Sequence, residues 1–335
     1  MSNIVGKWLD NARSVALPQS LTPAILAAVM AVPSDGFKLL PAVLAVFGVA
    51  MAHLAVNLLD DYFDYKVDMA GDRDAVVRKG FRAMTSKYQY LKEGTSVGQL
   101  RAAIAVFGGL AVLSGIMIML YRGWTVAVIA AAGAVLGYFY SAPPLKLAYR
   151  GLGELVTGLI FGPLLMVGVY MSACGGIDAG ILFISIPVGM LVLNILFTHS
   201  VIDLPADTES NKMTFARLIG SDRGNLAVSY IINLLPFVIL VAGVVAGYLH
   251  PLALIALIAL PRANWLCTSL RKFVSGDKDV TDVPSYLGRF ENWEAISGAG
   301  LSWFMARWYC ARNILTGLCS SLIVAYIVLS VIKFI

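Results

Sequence analysis

The sequence is short of charged residues. Asp, Glu, Lys and Arg make up 13% of its 335 residues, against about 25% in an average soluble domain. Hydrophobic residues reach 59%, and the mean hydropathy is +0.79. Because so few charges cannot cover a water-soluble fold of this size, a nucleic-acid-binding, secreted disulfide-rich or disordered protein is excluded as the main interpretation. We expect an integral membrane protein.

The cysteines show no pairing pattern, and no cleavable leader is expected at the N-terminus. The four cysteines are scattered, mostly in apolar runs, and no CxxC pattern occurs, so neither a zinc site nor a disulfide framework is indicated. The N-terminal residues lack an apolar stretch followed by a small-residue cleavage site. We therefore expect a cytoplasmic N-terminal arm over about 1–19, with a short amphipathic helix on the membrane surface.

What the chain does contain is a series of long apolar segments. A helix needs roughly 20 apolar residues to cross the hydrocarbon core of a bilayer. Nine such segments predict an all-α polytopic membrane protein with a single domain, 1–335. The predicted spans are 20–34, 40–59, 102–121, 124–141, 154–173, 179–200, 226–248, 250–269 and 313–334.

The basic residues predict the orientation of these spans. Cytoplasmic loops of membrane proteins collect Lys and Arg. With the N-terminus inside, 22 of the 25 Lys and Arg residues fall on the inner side, and Lys38, Arg122 and Lys333 fall outside. We expect the protein in the inner membrane of the cell, with its N-terminus in the cytoplasm. An odd number of spans then puts the C-terminus on the outer side of that membrane. The same rule explains the net charge of +5 without an anionic partner.

An acidic cluster ends the second predicted span. Residues 57–68 read NLLDDYFDYKVD, and a helix turns about 100° per residue. Five side chains then share an arc of about 100°; they are Asn57, Asp60, Asp61, Asp64 and Asp68. Carboxylates four residues apart repel one another unless cations lie between them. Oxygen ligands of this kind suit Mg²⁺, which proteins usually hold with a few carboxylates and substrate phosphates.

A second acidic pair ends the sixth predicted span. Asp203 and Asp207 are four residues apart, on one helix face if the helix continues through Pro205, and Lys212 follows. Both clusters lie at inner ends of spans, so they can face each other across a helical bundle. Two acidic walls with basic residues beside them predict a site that chelates a magnesium diphosphate.

Each of these features also has an ordinary structural interpretation. A single DxxxD pair at a helix end is usually a solvated face, but two such clusters on one side of the membrane favour the functional interpretation. His53 and His199 each stand four residues before a polar residue, Asn57 or Asp203, and we interpret both as packing or hydrogen-bonding residues. The segment YSAPPLKLAYR, 140–150, is either an interfacial anchor or a phosphate-binding or acceptor-orienting segment.

The three segments together resemble the UbiA superfamily of intramembrane prenyltransferases. That family has an Asn/Asp-rich acidic motif at the end of its second helix, a YSxPPLK-like segment after the fourth, and DxxxD followed by Lys and Thr after the sixth. The corresponding residues here are NLLDDYFDYKVD, YSAPPLK and DLPADTESNKMT. The resemblance covers about 20–270 and is expected to extend over the whole chain. It implies a bundle of nine transmembrane helices around a central cavity that is open towards the lipid.

The resemblance also implies an activity, namely Mg²⁺-dependent transfer of a polyprenyl group from an isoprenoid diphosphate to an aromatic acceptor. The implied catalytic and metal-binding residues are Asp61, Asp64, Asp68, Asp203 and Asp207. The implied diphosphate-binding or substrate-binding residues are Asn57, Asp60, Tyr140, Lys146, Arg150 and Lys212. No obligatory protein partner is expected.

Within the superfamily, the segments NLLDDYFDY, YRGLGEL and FGPLLMVGVY are most similar to the 1,4-dihydroxy-2-naphthoate polyprenyltransferases of menaquinone synthesis. Two features depart from the family pattern. Where the family usually has Asn-Asn-x-Arg-Asp, residues 199–203 read HSVID and lack the Arg. The inner segment of about 270–312 is long, and its run YLGRFENWEAISGAGLSWFMARWY is amphipathic, which predicts a segment along the membrane interface.

Other functions are compatible with an apolar chain that carries acids. Within the same family, 4-hydroxybenzoate or another quinone or lipid precursor could be the acceptor. A cation-coupled carrier usually has internal repeats and acids near mid-membrane, whereas the acids here lie at helix ends and no clear repeat is visible. A CDP-alcohol phosphotransferase would need a DGxxAR run, which the sequence lacks.

Overall fold

The computed structural model describes residues 4–68, 88–209, 213–280 and 283–334. Within these residues all regular elements are helices, and no strand occurs among them. An arm helix, Ile4–Asn11, precedes nine apolar helices. These are α1 (Pro18–Ala31), α2 (Leu39–Asp68), α3 (Val97–Arg122), α4 (Thr125–Ser141), α5 (Gly153–Cys174), α6 (Ala179–Ile202), α7 (Asp222–Val245), α8 (Pro251–Val274) and α9 (Ser302–Phe334).

Each of these nine helices overlaps one of the nine predicted spans. Seven of them, α2, α3 and α5–α9, are long and apolar enough to cross a membrane, whereas α1 and α4 are shorter apolar helices of 14 and 17 residues. The prediction of an all-α polytopic membrane protein is confirmed. Helix α2 continues to Asp68, so the whole first acidic cluster is helical. This is the condition under which its five side chains share one arc of the helix.

Helix α5 is not uniform along its length. Its middle turn, Ile160–Leu164, is π-helical and includes Pro163, which has no N–H group for the regular hydrogen-bond ladder. Close by, α5 meets α6 backbone to backbone, because a Cβ atom on Gly162 would lie only 2.4 Å from the Cα atom of Gly189. Small residues permit such close helix packing in membranes. The π-helical turn and the close glycine contact together fix the position of α5 against α6.

Helix α6 lies in the middle of the bundle, where it packs against α1, α5, α7 and α9. Asn194 on α6 and Asn233 on α7 are both fully buried, and their amides exchange hydrogen bonds of 2.8 and 3.0 Å. Lipid tails are as apolar as the side chains between helices, so packing and interhelical hydrogen bonds hold such a bundle together. The paired amides therefore link α6 to α7.

Contacts between loops distinguish the two ends of the bundle. The Lys333 ammonium near the C-terminus lies 3.0 Å from the Asp35 carboxylate, in the connection between α1 and α2. Arg122, at the end of α3, donates to the carbonyl oxygens of Gly36 and Ser172 at 2.9 and 2.8 Å. These segments share one end, and the N-terminal arm packs at the other end together with the acidic clusters. The assignment of these segments to opposite ends agrees with the predicted order of spans. Which end faces the cytoplasm stays a prediction.

Two helix boundaries differ from the prediction. Helix α8 begins as a 3₁₀ helix, Pro251–Ala259, and its α-helical part, Leu260–Val274, runs beyond the predicted end at 269. Helix α9 begins at Ser302 rather than near 313, so Trp303–Tyr309 belong to it and not to an interfacial segment. The charge of Arg307 makes this stretch look polar in the sequence. In the structure Arg307 is fully buried and donates to backbone carbonyl oxygens, so the helix can include it. The segment between α8 and α9 carries two short helical turns, Ser285–Leu287 and Trp293–Gly298.

Candidate active site

A large cavity lies inside the bundle. Its volume is about 1330 Å³. Its wall is formed by the N-terminal arm, the start of α1, α2–α6, the segment 88–92 before α3, the segments that follow α4 and α6, and Trp308 of α9. Over most of its length the wall consists of Ala, Gly, Val, Ile and Leu residues. Polar side chains are concentrated at the end where α2 and α6 finish. The cavity is therefore apolar in its long part and acidic at one end.

The structure brings the two acidic clusters to this end. Asp64, Asp203 and Asp207 line the cavity there and are 5–6% exposed. Helix α6 ends at Ile202, and after a turn at Asp203 the short helix Leu204–Glu209 contains Pro205. The backbone N–H of Asp207 donates to the carbonyl oxygen of Asp203 at 2.8 Å. A proline in the first turn of a helix removes no hydrogen bond. The two acids therefore keep the i, i+4 relation on which the sequence argument depended.

Neighbouring side chains orient these carboxylates. The Tyr149 hydroxyl donates to Asp64, and His199 Nε2 lies 2.8 Å from Asp203 Oδ2. The Ser141 hydroxyl donates to Asp60 at 2.5 Å. Ser141 is the last residue of α4, and Tyr149 lies in the segment after it. The YSAPPLKLAYR segment therefore contributes directly to the acidic end of the cavity.

The other predicted substrate-binding residues are divided. Asn57, Asp60 and Tyr140 line the cavity. Lys146 and Arg150 are not among the lining residues. The Lys146 ammonium lies 6.0 Å from the centre of the Tyr149 ring, and Arg150 is exposed and donates to the carbonyl oxygen of Pro144 at 3.2 Å. Both cations thus lie beside the acidic end of the cavity and outside its wall.

Two of the predicted site residues, Asp68 and Lys212, have side chains outside the described residues. Asp68 is the last residue of α2, and all of Lys212 lies outside the described part of the chain. The described residues contain no group of three His, Cys, Asp or Glu side chains close enough to hold a metal ion. The donor set at the acidic end still fits a hard cation, because Asp64, Asp203 and Asp207 offer carboxylate oxygens to one cavity.

Unlike Asp60 and Asp64, Asp61 does not line the cavity. Its side chain is fully buried and accepts hydrogen bonds from Arg13 of the arm and from Tyr90 at 3.1 Å. Arg13 also lies 3.6 Å from Asp60 and donates to the carbonyl oxygen of Asn57 at 3.0 Å. The described donors to this carboxylate are therefore protein groups, and its expected role as a metal ligand stays a prediction.

The charge of Asp61 also affects the protonation of its neighbours. Burial alone lowers the pKa of Arg13, but the negative charges of Asp61 and Asp60 more than offset this and raise that pKa above its ordinary value. Burial raises the pKa of Tyr90, and the carboxylate of Asp61 raises it further. At neutral pH Arg13 is charged and Tyr90 is protonated, so both remain donors to Asp61.

Arg13 and Glu154 are among the residues of the cavity wall that sequence reasoning missed. Arg13 adopts a left-handed backbone conformation with φ of 56°, and nothing in the sequence marks its long-range pairing with α2. Glu154 is buried near the start of α5, where it accepts hydrogen bonds from the Ser200 hydroxyl at 2.6 Å and the Phe215 N–H at 3.2 Å. A carboxylate inside an apolar span is a recognised signal of function, and it could have identified Glu154.

Known proteins share this architecture. The sequence pattern of the UbiA prenyltransferase family matches residues 20–290. The chain belongs to the UbiA prenyltransferase family. It is accordingly an enzyme, a multi-pass membrane prenyltransferase.

Individual relatives extend over most of the chain. The 1,4-dihydroxy-2-naphthoate octaprenyltransferase of Bacillus subtilis is 26% identical over 255 residues, which are 75% of this chain and 77% of that protein. The Mycobacterium tuberculosis protein of the same name is 27% identical over 266 residues, 77% of this chain and 83% of that one. The solved structure of a UbiA homolog from Archaeoglobus fulgidus bound to DMAPP and Mg²⁺ has a TM-score of 0.59 at 16% identity, and the match covers 92% of this chain and 99% of that chain. At that identity the similarity shows the fold alone.

Proposed function

We propose that this prenyltransferase transfers a polyprenyl group from an isoprenoid diphosphate to 1,4-dihydroxy-2-naphthoate in a reaction that requires Mg²⁺. The observation that carries the proposal is the two-part cavity, with three buried carboxylates at one end and an apolar wall beyond them. A metal diphosphate suits the acidic end. An isoprenoid chain suits the apolar part, where its burial removes it from water.

The acidic end supplies the groups that this donor needs. Asp64, Asp203 and Asp207 would hold Mg²⁺, with Asp68 as a further ligand from the first motif. Bound there, Mg²⁺ would neutralise the charge that develops on the departing diphosphate. The hydrogen bond from Tyr149 to Asp64 and the contact of His199 with Asp203 hold these carboxylates in fixed orientations. On the flanking segments, the cations of Lys146, Arg150 and Lys212 would add positive charge near the diphosphate.

The reaction exchanges two bonds. The bond between the first prenyl carbon and the diphosphate oxygen breaks, and its electron pair leaves with the diphosphate. An electron-rich ring carbon of the acceptor attacks the allylic cation that remains, and a carbon–carbon bond forms. In 1,4-dihydroxy-2-naphthoate this ring carbon carries the carboxylate, which departs as CO₂ and returns its bonding electrons to the ring. The apolar wall of the cavity keeps water from quenching the cation.

The choice of acceptor is supported by the relatives and by the apolar wall. Both bacterial relatives are named as 1,4-dihydroxy-2-naphthoate octaprenyltransferases. A naphthalene ring buries more apolar surface than a benzene ring does, at roughly 25 cal/mol per Å². An apolar cavity should therefore favour the naphthoate over 4-hydroxybenzoate.

We further propose that residues 1–335 form one membrane-embedded domain whose acidic end faces the cytoplasm. Helix α9 lies beyond the residues that match the family pattern, yet it packs against α1, α6 and α8. The distribution of Lys and Arg between the two ends supports the orientation, with the N-terminus inside and the C-terminus outside.

A panel of acceptors tests the proposed reaction. Purified protein is incubated with Mg²⁺, one prenyl diphosphate and either 1,4-dihydroxy-2-naphthoate or 4-hydroxybenzoate, and the products are identified by mass spectrometry. We expect a prenylated naphthalene diol that has lost CO₂, and no product when EDTA replaces Mg²⁺. Faster prenylation of 4-hydroxybenzoate, or a naphthoate product that keeps its carboxyl group, would assign the chain to another branch of the family. Mg²⁺-independent cation transport by reconstituted vesicles, without release of diphosphate, would indicate a carrier.

A further inference from the structure

One imidazole in the cavity wall stands away from the acidic end. Helix α2 lines the cavity along one face, with the residues Ala45, Gly48, Val49, Ala52, His53, Val56, Asn57, Asp60 and Asp64. His53 precedes Asp64 by 11 residues, which corresponds to about 16 Å along a helix. The wall on its other side is made of Ala, Gly and Val. His53 is therefore a polar group at the start of the apolar part of the cavity.

Two neighbours hold the His53 ring in place. Its Nδ1 atom lies 2.7 Å from the hydroxyl of Ser20, a fully buried residue of α1. Phe161, in the π-helical turn of α5, contacts the ring edge to face, with the two ring centres 5.0 Å apart. Among the described residues, no hydrogen bond uses the second ring nitrogen, Nε2. Since His53 lines the cavity, Nε2 is the atom that it can offer to a ligand.

Ser20 allows this nitrogen to act in either of two ways. The hydroxyl of Ser20 has one proton and two possible acceptors, because it also lies 3.1 Å from the carbonyl oxygen of Leu17. When the proton points to Leu17, Nδ1–H donates to Ser20 and Nε2 is an acceptor. When the proton points to Nδ1, Nε2 carries the hydrogen and donates. A rotation of one hydroxyl group therefore matches His53 to a donor or to an acceptor on the ligand.

The chemistry of this nitrogen excludes the isoprenoid chain as its partner. Isoprenoid carbons neither donate nor accept hydrogen bonds, and a polar atom buried against them without a partner costs free energy. An aromatic acceptor carries hydroxyl groups that can bond to Nε2, and its ring can pack against Phe161. The distance between Asp64 and His53 leaves room for the diphosphate and the first prenyl carbon.

We propose that His53 Nε2 hydrogen-bonds a ring hydroxyl of the aromatic acceptor and thereby contributes to acceptor specificity. Ser20 pairs with Nδ1 of His53 in either tautomer, and Phe161 packs against the acceptor ring. The inference rests on the proposed function, because it requires a hydroxylated aromatic acceptor. It separates two roles within one cavity, with carboxylates that serve the donor and an imidazole that serves the acceptor.

Steady-state kinetics of His53 variants test the assignment. We expect His53→Phe to raise the KM for the acceptor about tenfold, equivalent to 1.4 kcal/mol, and to leave the KM for the prenyl diphosphate within twofold. His53→Gln keeps one donor and one acceptor, so its acceptor KM should rise only about threefold, and Ser20→Ala should behave similarly. His250→Gln is the matched control. His250 lies at the start of α8, where its ring accepts the Leu252 N–H, and its replacement should change neither KM.

A pair of inhibitors examines the hydrogen bond itself. For the wild type, 1-hydroxy-2-naphthoate should compete with the acceptor about tenfold more strongly than 2-naphthoate, and for His53→Phe the two should inhibit equally. A hydroxyl preference that survives in His53→Phe, or a donor KM that rises together with the acceptor KM, would overturn the proposal. Thermal unfolding in detergent identifies a variant that fails to fold, and the same comparison is then made with His53→Leu, which also lacks a hydrogen-bonding group.

The outcome is independent of which acceptor the wild type uses. If the wild type prenylates 4-hydroxybenzoate and not the naphthoate, the proposed function is wrong in its acceptor. The His53 comparison is then made with 4-hydroxybenzoate as substrate and with 3-hydroxybenzoate and benzoate as inhibitors. A KM effect confined to this acceptor would still support His53 as its contact, and no KM effect would refute it.

Discussion

Asp61 and Asp64 are three residues apart on α2, yet we expect opposite consequences when each is replaced by Asn. Asp64 lines the cavity, whereas Asp61 is fully buried between Arg13 and Tyr90. Asp64→Asn should remove a ligand from the proposed metal site and leave the fold intact. Asp61→Asn should weaken the attachment of the N-terminal arm and leave the metal site in place.

The magnitudes follow from the surroundings of each carboxylate. For Asp64→Asn we expect turnover to fall at least about a hundredfold, which is about 2.7 kcal/mol of lost transition-state stabilisation. Breaking a fully buried ion pair typically costs about 3–5 kcal/mol. The Arg13 side chain is 29% exposed and keeps Asp60 at 3.6 Å, so we expect Asp61→Asn to cost about 1–3 kcal/mol of stability. Its turnover, measured well below the unfolding temperature, should fall less than about tenfold.

Three measurements distinguish the two roles. Thermal unfolding in detergent reports stability, initial rates report turnover, and a Mg²⁺ titration reports the metal site. Asp64→Asn should raise the Mg²⁺ concentration for half-maximal rate, and Asp61→Asn should leave it unchanged. In an Arg13→Gln background, Asp61→Asn should cost little further stability, because its main partner is already gone. A loss of turnover in Asp61→Asn equal to that in Asp64→Asn, with wild-type stability, would refute this division.

Three further predictions concern packing and topology. Gly162→Ala should cost about 1–3 kcal/mol of stability and reduce turnover, because its Cβ atom would meet Gly189. Gly109→Ala is the control: its Cβ atom would have no neighbour within 4 Å, so stability in thermal unfolding and turnover in rate assays should hardly change. Asn194→Leu should cost about 1 kcal/mol in detergent unfolding because it leaves Asn233 without its amide partner, and the double variant Asn194→Leu/Asn233→Leu should cost less than the sum of the two single changes. In a cysteine-free background, a Cys at position 72 should react with a membrane-impermeant thiol reagent only after the cell membrane is opened, and ready labelling in intact cells would reverse the proposed orientation.

The location of the acidic site could be predicted because it depends on local geometry. A helix turns by a fixed angle per residue, so Asp64 had to lie near the same face as Asp60, and Asp207 near that of Asp203. Two spans that end on one side of a membrane bring these faces to the same depth. The structure agrees with this reasoning for Asp64, Asp203 and Asp207, which line one cavity.

The pairing of Asp61 with the N-terminal arm could not be predicted in the same way. A shared arc of about 100° does not say whether a carboxylate at its edge meets a cavity or another part of the chain. The answer depends on Arg13, which is 48 residues away in sequence and docks through tertiary contacts. The start of α9 was misplaced for a related reason. The charge of Arg307 is satisfied by carbonyl oxygens of neighbouring segments, and no local pattern reveals such partners.

The N-terminal arm makes the acidic end of the cavity a tertiary assembly rather than a property of one helix. The Asn57 amide donates to the carbonyl oxygen of Ala12 at 2.9 Å, and Arg13 pairs with Asp61. Trp8 contacts Tyr90 edge to face, with ring centres 6.0 Å apart, and Tyr90 in turn donates to Asp61. The motif NLLDDYFDYKVD therefore serves two purposes on adjacent faces of one helix. Asn57 and Asp61 fasten the arm. Asp64, one turn further along the helix, lines the cavity and accepts the hydrogen bond from Tyr149.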